Sequence, residues 1–148
     1  MTVLTLTLII MVFSLAAVAV KRVPAGQVYS LYRNGKPVRL LQEGTHVVLP
    51  LVDRVGHRID LGGRMLRFDA PMARGTVYWQ VLEPERADAV IEQADQLIRS
   101  GVIDALQADG PVDQPERREV IVRLKTRLNQ QLRERGVMVT RVELDAAA

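Results

Sequence analysis

VLTLTLIIMVFSLAAVAV, residues 3–20, contains no charged side chain, and Leu, Ile, Val, Met, Phe and Ala fill nearly every position. These 18 residues, wound as a helix at about 1.5 Å each, reach about 27 Å, close to the roughly 30 Å hydrocarbon thickness of a bilayer. A helix satisfies its own backbone polar groups, so such a run can cross lipid. Thr5, Thr7 and Ser14 are compatible with that reading because their hydroxyls can bond back to the preceding turn. The stretch therefore predicts a membrane anchor, with Lys21 and Arg22 as its basic flank, so that residues 1–22 form the anchor segment.

A cleaved signal peptide is the rival reading. Ala17-Val18-Ala19 is a small-residue pattern suited to cleavage near Ala19. However, no Lys or Arg precedes the apolar run, where a signal peptide carries its positive region, whereas Lys21 and Arg22 follow it directly. Cationic flanks tend to stay on the cytoplasmic side. With Arg33, Lys36 and Arg39 adding to that bias, the expected arrangement is a single-pass inner-membrane protein with its soluble part in the cytoplasm. Release of a small secreted or periplasmic binding domain stays open as the alternative.

Outward from the anchor, the chain of 148 residues has a formal net charge of +3, no cysteine, and only 4 % aromatic residues. Disulfides and thiolate chemistry are excluded. A nucleic-acid partner is not expected, because such proteins concentrate basic residues with interleaved aromatics.

From residue 23 the pattern becomes short apolar runs broken by Gly, Pro and Asn. Gln27–Tyr32 reads as a strand, Asn34-Gly35 as a positive-φ hairpin turn, and Val38–Leu41 as the return strand. Thr45–Leu49, ending at Pro50, reads as a third strand, with Val47 to Leu49 buried. Arg54–Leu61 reads as a fourth and Met65–Phe68 as a possible fifth. Thr76–Val81 alternates, with Val77, Trp79 and Val81 on one face. Helical spacing begins at Pro84 and continues through Ala87, Val90, Ile91, Ala94, Leu97, Ile98, Val102, Ala105 and Leu106, predicting one long helix. Glu85, Asp88, Glu92 and Asp95 lie on its polar side. A second helix is expected from Pro115 to Arg135, stopped by Gly136, and Val137–Leu144 as a last strand. The fold class is α+β: an anchor helix, a β-rich half, two helices and a final strand. Residues 146–148 read as a tail.

No catalytic, cofactor-binding or metal-binding residues are expected. Gly62-Gly63 lacks the residues of a phosphate loop and reads as a turn. His46 and His57 sit apart on separate strands, without the spacing of a zinc site. Ser30 and Ser100 lie on no nucleophile elbow. The second helix carries seven cations (Arg117, Arg118, Arg123, Lys125, Arg127, Arg133 and Arg135) against Glu116, Glu119 and Glu134. A solvated face explains them best; contact with anionic headgroups or an acidic partner is the sharper alternative.

Several strings in order resemble the stomatin/prohibitin/flotillin (SPFH, Band 7) domain family. Val23-Pro24-Ala25-Gly26-Gln27-Val28-Tyr29 and Tyr32-Arg33-Asn34-Gly35-Lys36 resemble its opening after an anchor. The string from Leu41 to Val55, with Gly44 at a tight turn and Pro50 ending a strand, is the most specific part. Arg58-Ile59-Asp60-Leu61, Val77 to Ala87 and Val137 to Leu144 resemble later segments. The resemblance covers nearly all of residues 23–145. It implies a non-enzymatic membrane scaffold of stomatin-like type that self-associates with itself or a related Band 7 protein. Such a scaffold organises lipid or regulates membrane proteases or channels. The stretch between Leu61 and Thr76 is shorter than the family pattern, so Met65–Phe68 is expected to replace a strand or the sheet to lose one. The long helical segment through which many relatives assemble is missing after Asp145, so ring assembly is not implied.

Overall fold

In the computed structural model, which describes residues 1–145, helix α1 (Thr2–Ala19) begins the chain and every residue on it is solvent-facing or nearly so. It is the one helix among the described residues long and apolar enough to cross a membrane. Thr5 Oγ1 donates to the carbonyls of Met1 and Thr2, at 3.1 and 2.9 Å, and Thr7 Oγ1 to that of Val3 at 2.8 Å. These hydroxyls thus expose no unpaired donor on the apolar surface.

The chain then forms two compact units, Met1–Asp60 and a second beginning at Leu61. In the first, β1 (Val20–Val23) follows α1 without a linker, then β2 (Gln27–Arg33), β3 (Lys36–Leu41), β4 (Gly44–Val47) and β5 (Asp53–Asp60). All pairings are antiparallel: β1 with β4 as a two-stranded ribbon, and β3-β2-β5 as a three-stranded sheet. Asn34 and Gly35 take φ values of 52° and 76° between β2 and β3, the positive-φ pair whose twist suits a two-residue hairpin. Val23, Leu31, Leu41 and Val48 form a buried cluster, with Tyr29 packed on it.

Two expectations need correction here. Val20–Val23 is a strand, where the sequence suggested the last residue of the anchor helix and its basic flank. The third strand stops at Val47, and of Val47 to Leu49 only Val48 is buried; Val47 is 71 % exposed and Leu49 55 %. The reason is topological: β4 pairs with β1 alone, so the apolar side chains alternating away from Val48 meet no second layer.

The second unit holds β6 (Arg64–Asp69), β7 (Arg74–Val81), α2 (Pro84–Ala87), α3 (Ala94–Asp109), α4 (Arg117–Leu132) and β8 (Val137–Leu144). Its sheet is antiparallel in the order β6-β7-β8, so Met65–Phe68 does supply a strand. Val77, Trp79 and Val81 are buried on β7 as their alternation predicts. Val120, Leu124, Leu128 and Leu132 bury the α4 stripe, while Ile121 is only half-buried. Gly136, at φ 70°, ends the segment in the left-handed conformation.

The single long helix from Pro84 is not formed. One turn of α2 is followed by a 3-10 turn, Ile91–Gln93, before α3 begins. Val90 sits at φ −126°, ψ 1°, outside the helical well, where the β-branched pair Val90-Ile91 is a weak helix former. The break also turns Asp88 inward to 6 % exposure, away from the polar face expected for it. Gly101, by contrast, is carried within α3 as expected. The tail at 146–148 lies outside the described residues.

Candidate membrane interface

The features that set the first unit apart converge where α1 ends. Ala19 closes the helix, and its carbonyl accepts a hydrogen bond of 2.8 Å from the amide of Val48. The next residue, Val20, pairs in register with Val47, followed by Lys21 with His46, Arg22 with Thr45 and Val23 with Gly44. The helix exit and the residues after β4 are therefore tied at the same level by backbone bonds.

Beyond β4 the chain makes a tight loop, Leu49-Pro50-Leu51-Val52, before β5. Its backbone is closed on itself: the amides of Val52 and Asp53 donate to Leu49 O at 3.2 and 2.9 Å. The Leu49 amide donates to Asp53 Oδ2 at 3.3 Å. Asp53 is fixed in turn by Arg33, whose Nε and Nη2 donate at 2.7 and 3.1 Å. That two-point guanidinium contact holds the Asp53 carboxyl below the ordinary carboxylate range; burial opposes the shift, and the Leu49 amide reinforces it. With the backbone so occupied, Leu49, Leu51 and Val52 face outward, Leu51 at 87 % exposure.

The charges flanking this region are Lys21, Arg22 and Arg39 against two carboxylates, Asp53, which is paired with Arg33, and Glu43, whose Oε2 accepts from the Gly26 amide at 3.4 Å. From Gly44 to Val52 there is no acidic residue, while Lys21 and Arg22 lie exposed on β1. Arg39 reaches from β3 to donate to Val47 O at 3.0 Å. Apolar tips beneath basic side chains are the arrangement of a protein surface that meets lipid headgroups.

The residues weighed for chemistry are engaged elsewhere. The buried Ser30 hydroxyl accepts from the amide of His57 at 2.8 Å, across a bulge between β2 and β5. His57 packs edge-on against Tyr32, and His46 Nε2 contacts Gln42 O at 2.7 Å. Ser100 Oγ donates within its own helix, to Leu97 O. Among the described residues, no group of three or more His, Cys, Asp or Glu side chains is placed to hold a metal ion. Three of the α4 cations turn to their own fold: Arg117 to Asp145 O at 2.8 Å, and Arg123 and Arg127 toward Asp109 at 4.0 and 3.5 Å.

Sequence reasoning found the helix and its basic flank but missed the loop, because an apolar run such as Val47 to Val52 looks the same whether it is buried or projecting. The signal available was the proline between two leucines, which ends the strand pairing that would have covered them. Comparison with protein-family models gives no match for the chain, and comparison with curated proteins gives none.

Proposed function

We propose that this chain is a membrane-anchored, non-enzymatic scaffold of the Band 7 type, held by α1 with its folded part on the cytoplasmic side. The observation that carries the reading is the direct passage of a fully exposed apolar helix into the β1–β4 ribbon, bonded back at Ala19. A tether needs slack; this junction has none, so the ribbon is held against whatever surface α1 enters. The reading also rests on the sequence resemblance, which implies an anchor, a β-rich half, helices and a closing strand; the chain runs from α1 through β1–β7 and the helices to β8. Its partners would be membrane lipid, a second copy or a related Band 7 protein, and through them a membrane protease or channel.

Release after Ala19 would cut between α1 and the first residue of β1 and would remove the carbonyl acceptor of Val48. Those losses weigh against the secreted alternative. Chemical crosslinking of the full chain in native membranes tests the scaffold reading. Ladders of dimer and higher species, or adducts with another membrane protein, support it; monomer alone at all crosslinker concentrations removes it.

A further inference from the structure

We infer that the Leu49-Pro50-Leu51-Val52 loop is a second membrane contact, immersed at the boundary between headgroups and acyl chains beside the exit of α1. The inference rests on the anchored reading above and names the ligand of that surface as lipid.

Three observations carry it. The first is position: Val48 N bonds to Ala19 O at 2.8 Å and Val47 pairs with Val20, so a bilayer that encloses α1 as far as Ala19 has its surface at the root of the loop. Continuity with the helix thus selects lipid over a detached protein partner.

The second is the state of the backbone. Peptide groups that enter a low-dielectric layer must already be paired. Here the Leu49 carbonyl takes two amides, the Leu49 amide is held by Asp53, and Pro50 has no N–H to satisfy. Two of the loop's three amides, those of Leu49 and Val52, are thus already paired, and at the headgroup boundary water and headgroups remain to meet the other polar groups of the tip.

The third is composition. Leu49, Leu51 and Val52 project as a compact apolar tip and Val20 and Val47 extend it along the ribbon. Lys21 directly follows Val20, Arg22 comes next, and Arg39 donates to Val47 O, whereas Glu43 stands beyond the opposite end of the ribbon, next to the pair of Val23 and Gly44. Asp53, the carboxylate at the loop base, is neutralised by Arg33 and its side chain is only 3 % exposed. Apolar tip and basic collar together match an anionic leaflet, in which cationic side chains gain from headgroups while the leucines reach the upper acyl region.

The chain has no cysteine, so single variants carry unique probes. Full-length L51C, I10C and K36C are each labelled with an environment-sensitive fluorophore and reconstituted in vesicles of phosphatidylcholine and phosphatidylglycerol. Some of the lipid carries a nitroxide on its acyl chain. Position 51 is exposed and outside the buried cluster, so its substitution leaves the core intact. The expected result is blue-shifted emission and strong lipid quenching at 51, as at 10 within α1, with water-like emission and little lipid quenching at 36. If 51 behaves as 36 does while 10 is quenched, the loop contact is overturned and the anchor stands. Failure at 10 as well removes the anchor itself. Blue-shifted emission at 51 without lipid quenching means that protein covers the loop, which also overturns the inference.

Discussion

The side-chain amide of Asn129 on α4 satisfies both backbone groups of Val139 on β8, its Oδ1 accepting from the Val139 amide at 2.7 Å and its Nδ2 donating to the Val139 carbonyl at 3.1 Å. Val139 is fully buried and β8 stands at one end of its sheet. A helix side chain therefore does at this residue what a further strand would otherwise do.

Replacing Asn129 with Ala is expected to destabilise the second unit by about 1–3 kcal/mol, the usual cost of leaving buried polar groups unpaired. Trp79 is the sole tryptophan and the register partner of Val139, so its fluorescence during denaturation reports the loss directly. The opened strand end should also raise the tendency to self-associate, visible as earlier scattering on heating. An unchanged midpoint would show that water replaces the amide without cost.

Acid should loosen the first unit through Asp53. Its folded pKa is depressed, chiefly by the hydrogen bonds from Arg33, so the stabilisation is complete above the unfolded value of about 3.9 and disappears as pH falls through the lower folded value. Arg33 shifts upward and stays charged throughout this window, so it adds no slope of its own. Melting of wild type and D53N in detergent should therefore differ most near neutrality and converge as the pH falls below about 4. A gap that persists to the lowest pH would mean that the carboxyl contributes by shape and not by charge.

How much of this was readable from residues alone follows from where local chemistry decides the outcome. Asn34-Gly35 forces a hairpin wherever it stands between strands. The alternation through Val77, Trp79 and Val81, and the four-residue steps of α4, each allow one buried face. The misses in the first unit share a cause in longer-range pairing. Val20–Val23 becomes a strand only because Gly44–Val47 is there to receive it, and its Lys-Arg centre hides the pattern. The same ribbon leaves Val47, Leu49 and Leu51 uncovered, which their composition could not disclose. The break before α3 falls at Val90-Ile91, where Val90 leaves the helical well, and apolar spacing alone does not register the low helix preference of that β-branched pair. Of the candidate site, the helix and basic flank were plain in the sequence, whereas the loop required the fold.

Gly136 is a sharper test of the packing after α4. Its φ is 70°, and an added Cβ would run into the carbonyl oxygen of Glu83 and lie 3.0 Å from Cβ of both Glu83 and Arg86. Its own carbonyl accepts the amides of Leu82 and Glu83, at 2.9 and 3.1 Å. G136A should thus cost more than the roughly 1 kcal/mol of a left-handed alanine, because backbone must move as well. Gly35, at φ 76° in the β2–β3 turn and with nothing within 4 Å of an added Cβ, provides the control: G35A should cost about 1 kcal/mol. Equal losses at the two sites would remove the close approach as the cause.

On the proposed reading the cytoplasmic placement of the folded part depends on Lys21 and Arg22, and reversing them tests it. With both changed to Glu, the cationic bias at the α1 exit is lost while Arg33, Lys36 and Arg39 remain. The expected outcome is mixed or inverted insertion. It is measured on a background bearing V122C, since Val122 is exposed in the second unit, by labelling intact cells with an impermeant maleimide. The parent chain should label only after lysis, and the charge-reversed chain partly before it. Intact mass of the same samples must begin at Met1 or Thr2. A mature chain beginning at Val20, labelled from outside in both forms, would instead identify α1 as a signal sequence. The bond between Ala19 and Val48 would then exist only in the precursor.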